Sequence, residues 1–201
     1  MWITIRTYTD VPVDEGEILR YAGVRSDEGG ENLALVREML PMALSAMRYS
    51  VAYAEFKINR TGDTLELGFL STDSADLKKC LLGCEGVLVF AATVGIEIDR
   101  LIAKYSSISP AKALILQAIG AERIESLCNL FTAEIAREKA ALGLSLRPRF
   151  SPGYGDFPLE AQREIFEALD CPRKIGLSLN ESLLMSPSKS VTAIVGIYKK
   201  R

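Results

Sequence analysis

Histidine is absent from the 201 residues. That excludes Ser-His-Asp and Cys-His nucleophile systems, HExxH zinc sites and any imidazole proton shuttle. Cysteine is scarce: Cys80, Cys84, Cys128 and Cys171, with no C-x-x-C pair. Cys80 and Cys84 are spaced to share a helix face, but the set as a whole favours buried, reduced thiols over a disulfide framework or a metal site. No apolar run approaches the roughly 18–20 residues of a membrane span. The start, Met1-Trp2-Ile3-Thr4-Ile5-Arg6, alternates apolar and polar residues and lacks the apolar centre of a signal peptide. An excess of one charge is lacking too: 24 Lys and Arg against 26 Asp and Glu give a formal net charge of −2. No electrostatic footprint for nucleic acid follows from that balance. No G-x-G-x-x-G opens a first βα turn, which removes the Rossmann-type loop. The expectation is a cytoplasmic globular protein with neither nucleic acid nor membrane as partner.

What is present is enough apolar material, 48% of residues, to build a sizeable core. A chain of this length buries roughly 70% of its unfolded surface. One domain over residues 1–201 is expected, with residues 1–70 open as a smaller N-terminal lobe. The pattern predicts a strand over 2–8, a short helix over 13–21, and a helix over 31–49 that Pro41 should kink or split. Strands are expected over 51–59 and 64–70, joined by a turn at Arg60-Thr61-Gly62-Asp63, then a helix over 73–82. The continuous apolar run 86–92 reads as a buried central strand, followed by a helix over 96–105. Ser109-Pro110 opens a long helix to about 142, with Ser as N-cap and Pro at the first helical position. Gly120 inside it costs about 1 kcal/mol against alanine, so a close neighbour, a kink or a ligand contact is expected there. Residues 147–157 read as a loop, 158–169 as an amphipathic helix, and 176–198 as one or two strands about a Ser186-Pro187-Ser188 turn. The fold class is α+β (mixed α/β), with an antiparallel or mixed sheet and flanking helices.

The loop Arg147-Pro148-Arg149-Phe150-Ser151-Pro152-Gly153-Tyr154-Gly155-Asp156 is the least ordinary stretch. Prolines stiffen it and glycines let a ligand approach the backbone. Two guanidiniums, a hydroxyl, a phenol and a carboxylate fall within ten residues. An arginine can hold a carboxylate through paired N–H donors. A structural turn with solvated arginines is the competing reading.

Arg149-Phe150-Ser151-Pro152-Gly153-Tyr154 carries an R-x-x-x-G-Y pattern. It resembles the S-adenosylmethionine (SAM) signature in the activation domain of cobalamin-dependent methionine synthase. Further blocks follow in the family's order: Phe157-Pro158-Leu159, a helix with Gln162 and Phe166, Ile175-Gly176, and Leu179-Asn180-Glu181-Ser182. Met185, Pro187 and Ser190-Val191 complete the series, and upstream Cys84 and Phe90 to Gly95 are similar to the family's central strand. The similarity covers roughly residues 75–197.

The resemblance implies a free-standing activation domain that binds SAM and supports reductive methylation of cob(II)alamin on a partner. That partner would be a corrinoid-binding methionine synthase or a related corrinoid protein, with a flavodoxin or ferredoxin-type electron donor. The chain lacks the D-x-H-x-x-G motif of corrinoid domains, so cobalamin is expected only through the partner. By the same resemblance the cofactor-binding residues are Arg149 for the SAM carboxylate or the loop, Ser151 through its backbone, Gly153 for close approach, and Tyr154. Glu125 on the long helix stands nearest the family's glutamate, one residue out of register; Ser126 occupies the aligned position, and Glu122 is a further candidate. Glu181-Ser182 and Ser188-Lys189-Ser190 are candidates to frame the same cleft. An acidic residue early in the family domain has no counterpart in residues 1–50, a second falls near Gly143, and a C-terminal tyrosine would lie beyond Arg201. Two further readings are a SAM-dependent methyltransferase acting on another substrate and a non-catalytic interaction module that keeps the fold without the ligand.

Overall fold

The computed structural model describes residues 2–199. From the N-terminus, β1 (Thr4–Tyr8) leads through α1 (Glu15–Tyr21) and α2 (Glu31–Ala46) to β2 (Tyr49–Lys57). Short strands β3 (Asn59–Thr61), β4 (Thr64–Glu66) and β5 (Ser71–Thr72) precede α3 (Ala75–Cys80) and β6 (Gly86–Thr93). Then come α4 (Glu97–Ile108), α5 (Pro110–Ala140), β7 (Leu144–Phe150), α6 (Gln162–Leu169) and α7 (Cys171–Ile175). The described chain closes with β8 (Ser178–Leu179), β9 (Met185–Ser186) and β10 (Ser190–Lys199).

The main sheet has the order β1-β2-β6-β10-β7, and every neighbouring pair is antiparallel. The fold is therefore α+β, with the sheet antiparallel rather than mixed. Successive strand residues point to opposite faces, and here both faces are covered. Leu88, Phe90 and Ala92 of β6 join Ala193, Val195 and Ile197 of β10 in a core beneath α1, α2, α4 and α5. Val87, Val89 and Ala91, with Ile194, face the opposite core, built from α3, α6, α7 and the short strands. Burial on both faces explains why β6 reads as an unbroken apolar run. Residues 4–57 supply two strands of this sheet, and Val11, Ile18, Val36 and Met39 pack into the α5 core.

The long helix begins as its sequence dictates: the Ser109 side chain accepts from the Lys112 N–H, and Pro110 sits in the first turn. Three expectations are corrected. Helix α2 is not split at Pro41 and runs from Glu31 to Ala46. Arg37, whose carbonyl loses its partner, and Pro41 are both exposed, so water can satisfy the freed group. The strand expected over 64–70 stops at Glu66, because Gly68 adopts a left-handed φ of 80° and Leu67 turns back onto Leu70. Residues 147–150 belong to an edge strand rather than a loop. Pro148, lacking an N–H, is tolerated there because it sits at a bulge on the sheet edge.

Candidate functional site

The bulge aims the key arginine. Leu146 lies opposite Ile197 of β10, and Arg149 lies opposite Val195, so three steps on β7 match two on β10. One extra residue inverts the alternation of side chains. Arg149 consequently points toward α5, where Nη2 donates to Glu125 Oε2 at 3.0 Å and to Asn129 Oδ1 at 2.9 Å. Glu125 and Asn129 are one helical turn apart and form a single receiving surface. Both Nη2 protons are thereby used. Nε and Nη1 make no hydrogen bond among the described residues and keep three N–H donors available.

Beyond Phe150 the chain enters two consecutive turns. The Tyr154 N–H donates to the Ser151 carbonyl at 3.1 Å, and Gly153 has φ 89°. Proline second and a positive-φ glycine third make Ser151-Pro152-Gly153-Tyr154 a type II turn. The Phe157 N–H then donates to the Tyr154 carbonyl at 2.9 Å, and the Gly153 N–H donates to the Phe157 carbonyl at 2.8 Å. Two anchors fix this loop. Phe157 is buried in the second core, and the Asp156 carboxylate accepts from the Ser74 hydroxyl and the Ala75 and Asp76 N–H groups at the start of α3. Those donors hold the Asp156 carboxyl below its ordinary value.

Between this loop, α5, α6 and the start of β10 lies a cleft of about 430 Å³, within the range of small-molecule sites. Glu125, Arg149, Ser151 and Tyr154 all line it, so four of the five sequence-nominated residues converge. Gly153 does not line it; its role is the positive φ of the turn. Glu122 lies elsewhere: its carboxylate is buried, receiving Arg123 and the Asp14 N–H. Ser190 reaches the cleft, whereas Glu181, Ser182, Ser188 and Lys189 do not line it. The Ser188 N–H and hydroxyl donate to Asp99. The stem of Lys189 lies over Gly120 of α5, where a Cβ would come within 3.0 Å of it. Gly120 is thus explained by a close neighbour.

Six lining residues were not nominated as site residues from the sequence: Pro148, Pro152, Gln162, Met185, Val191 and Thr192. Gln162 is the notable one, since its side chain is almost wholly buried and its Oε1 has no partner. Asn129, the second holder of Arg149, was also missed; its spacing of four from Glu125 was the available signal. Burial pushes the Cys128 and Cys171 thiols up to about 12, so both stay protonated and neither is a ready nucleophile. Among the described residues no group of three or more Cys, Asp or Glu is placed to hold a metal ion, and no helix is long and apolar enough to cross a membrane.

A two-faced antiparallel sheet, a long capped helix and a rigid Pro/Gly loop facing that helix define an α+β domain with a cleft of small-molecule size between loop and helix. No protein-family model and no curated protein matches the sequence. Among solved structures, the chain is similar to the crystal structure of the MetH reactivation domain bound to AdoHcy, with a TM-score of 0.71 and 16% identity. The match covers 98% of this chain and 78% of that one. The chain therefore has the fold of the MetH reactivation domain.

Proposed function

We propose that the chain binds SAM, and its demethylated product S-adenosylhomocysteine (SAH), in this cleft and acts as the reactivation partner of a corrinoid methionine synthase or related corrinoid protein. One observation carries the reading. Three residues of the SAM-like signature, Arg149, Ser151 and Tyr154, line a single cleft with Glu125 of the long helix, in a fold whose solved counterpart is bound to AdoHcy.

The donor set fits a zwitterionic amino-acid nucleoside. The free Nε and Nη1 donors of Arg149 suit a carboxylate. The Glu125 carboxylate, held beside Arg149, suits the α-ammonium. Tyr154, 57% exposed and edge-on to Phe150 with centroids 5.9 Å apart, offers a ring face to the nucleoside. The Ser151 backbone stands at the cleft wall because the Gly153 turn folds it there. Sulfonium is already an activated leaving group, so catalysis reduces to positioning the methyl group, and a chain without histidine suffices. The corrinoid, carried by the partner and reduced by one electron from a flavodoxin or ferredoxin-type donor, accepts the methyl group while the carbon–sulfur electron pair stays on sulfur. The chain works as a single domain in the cytoplasm in this reading.

The test is label transfer. A corrinoid methionine synthase lacking its own activation domain, oxidised to cobalt(II), is mixed with a reductant, methyl-labelled SAM and this protein. Label on the corrinoid that requires the added protein supports the proposal; equal label without it refutes the proposal.

A further inference from the structure

Three buried side-chain atoms lack a hydrogen-bond partner among the described residues: Arg147 Nε, Gln162 Oε1 and Glu164 Oε2. Only Gln162 lines the cleft. It stands in the first turn of α6 and is 5% exposed, with Ile165 and Phe166 of the same helix buried beside it. An amide oxygen stripped of water and left without a donor is costly. An apolar residue of the same length would fill the position without that cost, and Ile165 and Phe166 on the same face of α6 are apolar. A buried orphan acceptor in the wall of a ligand-sized cleft is therefore best explained by a donor that arrives with the ligand. The terminal torsion of glutamine is soft, so the amide can turn to meet it.

We infer that Gln162 is a specificity-determining residue of the cleft, accepting a hydrogen bond from an N–H or O–H group of the bound amino-acid nucleoside. This rests on the ligand reading above. It also completes the polarity of the site: Arg149 supplies donors, Glu125 a charged acceptor, and Gln162 a neutral acceptor. A neutral acceptor suits a hydroxyl or amino group of the nucleoside and can also meet the ammonium; the shared chemistry is a ligand donor. Analogues unable to donate at that point leave the acceptor unpaired and are discriminated against.

The experiment is calorimetric titration of SAH and of methylthioadenosine, which lacks the amino-acid carboxylate and ammonium, into wild type, Gln162→Met and Gln162→Glu, with thermal unfolding of each. Gln162→Met keeps the side-chain length and removes the acceptor. Expected is an SAH dissociation constant raised roughly tenfold with an unfolding midpoint equal to or above wild type. An equal rise for both ligands assigns the donor to the nucleoside; a rise for SAH alone assigns it to the ammonium. Gln162→Glu, which retains an acceptor, serves if the Met variant fails to fold, and is expected to bind more tightly only if the donor is the ammonium. Wild-type binding with unchanged affinity in both variants overturns the inference and leaves the ligand reading standing. Absence of SAH binding to wild type overturns both.

Discussion

Leu146 and Arg149 face the same side of the sheet although they are three positions apart. Leu146 packs into the α5 core, and Arg149 donates to Glu125 and Asn129 on α5. In a regular strand, residues an odd number apart point to opposite faces. The extra residue at Pro148 reverses that rule, and so the bulge decides whether the guanidinium reaches the cleft.

Deleting Pro148 removes the extra residue but leaves Arg149 two positions from Leu146, on the same face and still opposite Val195. The expected outcome is SAH binding retained by calorimetry, with cooperative thermal unfolding. Loss of binding in a folded deletion variant would show that placing the arginine on this face is not enough to aim it.

Asp156 ties the cleft loop to α3, and its depressed carboxyl gives this anchor a pH dependence. A carboxyl lowered in the folded state stabilises above its unfolded value, ordinarily 3.8, and loses that contribution as pH falls through the folded value. Asp156→Asn is therefore expected to lower the unfolding midpoint at pH 7, with the difference from wild type shrinking below about pH 4. At pH 7 the Tyr154 and Phe157 amides, which close the two turns, should exchange faster in the variant. Unchanged protection at both amides counts against the anchor.

Glu122 and Arg123 form a fully buried pair on α5, and the guanidinium also donates to the Val11 and Pro12 carbonyls. The pair clamps the segment between β1 and α1 onto the helix that carries Glu125. Arg123→Met strips Glu122 of its counter-ion and is expected to cost about 3–5 kcal/mol, read by denaturant unfolding. The double variant with Glu122→Leu should recover much of the loss, because no unpaired charge then remains. A single variant within 1 kcal/mol of wild type, by the same buried-pair arithmetic, would contradict the clamp.

Gly120 and Lys189 should be coupled. Alanine is worth about 1 kcal/mol over glycine inside a helix, but a Cβ at 120 meets the Lys189 stem. Gly120→Ala is expected to realise that gain only when Lys189→Ala has cleared the space. Urea unfolding of both singles and the double measures the coupling; strict additivity argues against the contact.

Much of this architecture was legible because single residues decided local structure. Ser109-Pro110 announces α5, the apolar run 86–92 announces the central strand, and the R-x-x-x-G-Y hexapeptide marks the cleft loop. The rest depended on packing. Pro148 reads as a strand breaker, yet an edge strand with a bulge accepts it. Pro41 reads as a helix breaker, yet both it and Arg37, whose carbonyl it frees, are exposed. Glu122 and Glu125 look equivalent in sequence, and only the rotation of α5 sends one into the core and the other to Arg149. Gln162 was visible as a residue but not as a site, since an unpaired acceptor exists only once the surrounding donors are known to be elsewhere.

The most direct test of ligand binding at Arg149 is calorimetric titration of SAM and SAH into wild type and Arg149→Ala. Saturable binding to wild type is expected, weakened roughly 10–100-fold or lost in the variant, with the unfolding midpoint shifted far less than for Arg123→Met. No heat with wild type at millimolar ligand, or equal binding by the variant, would contradict it.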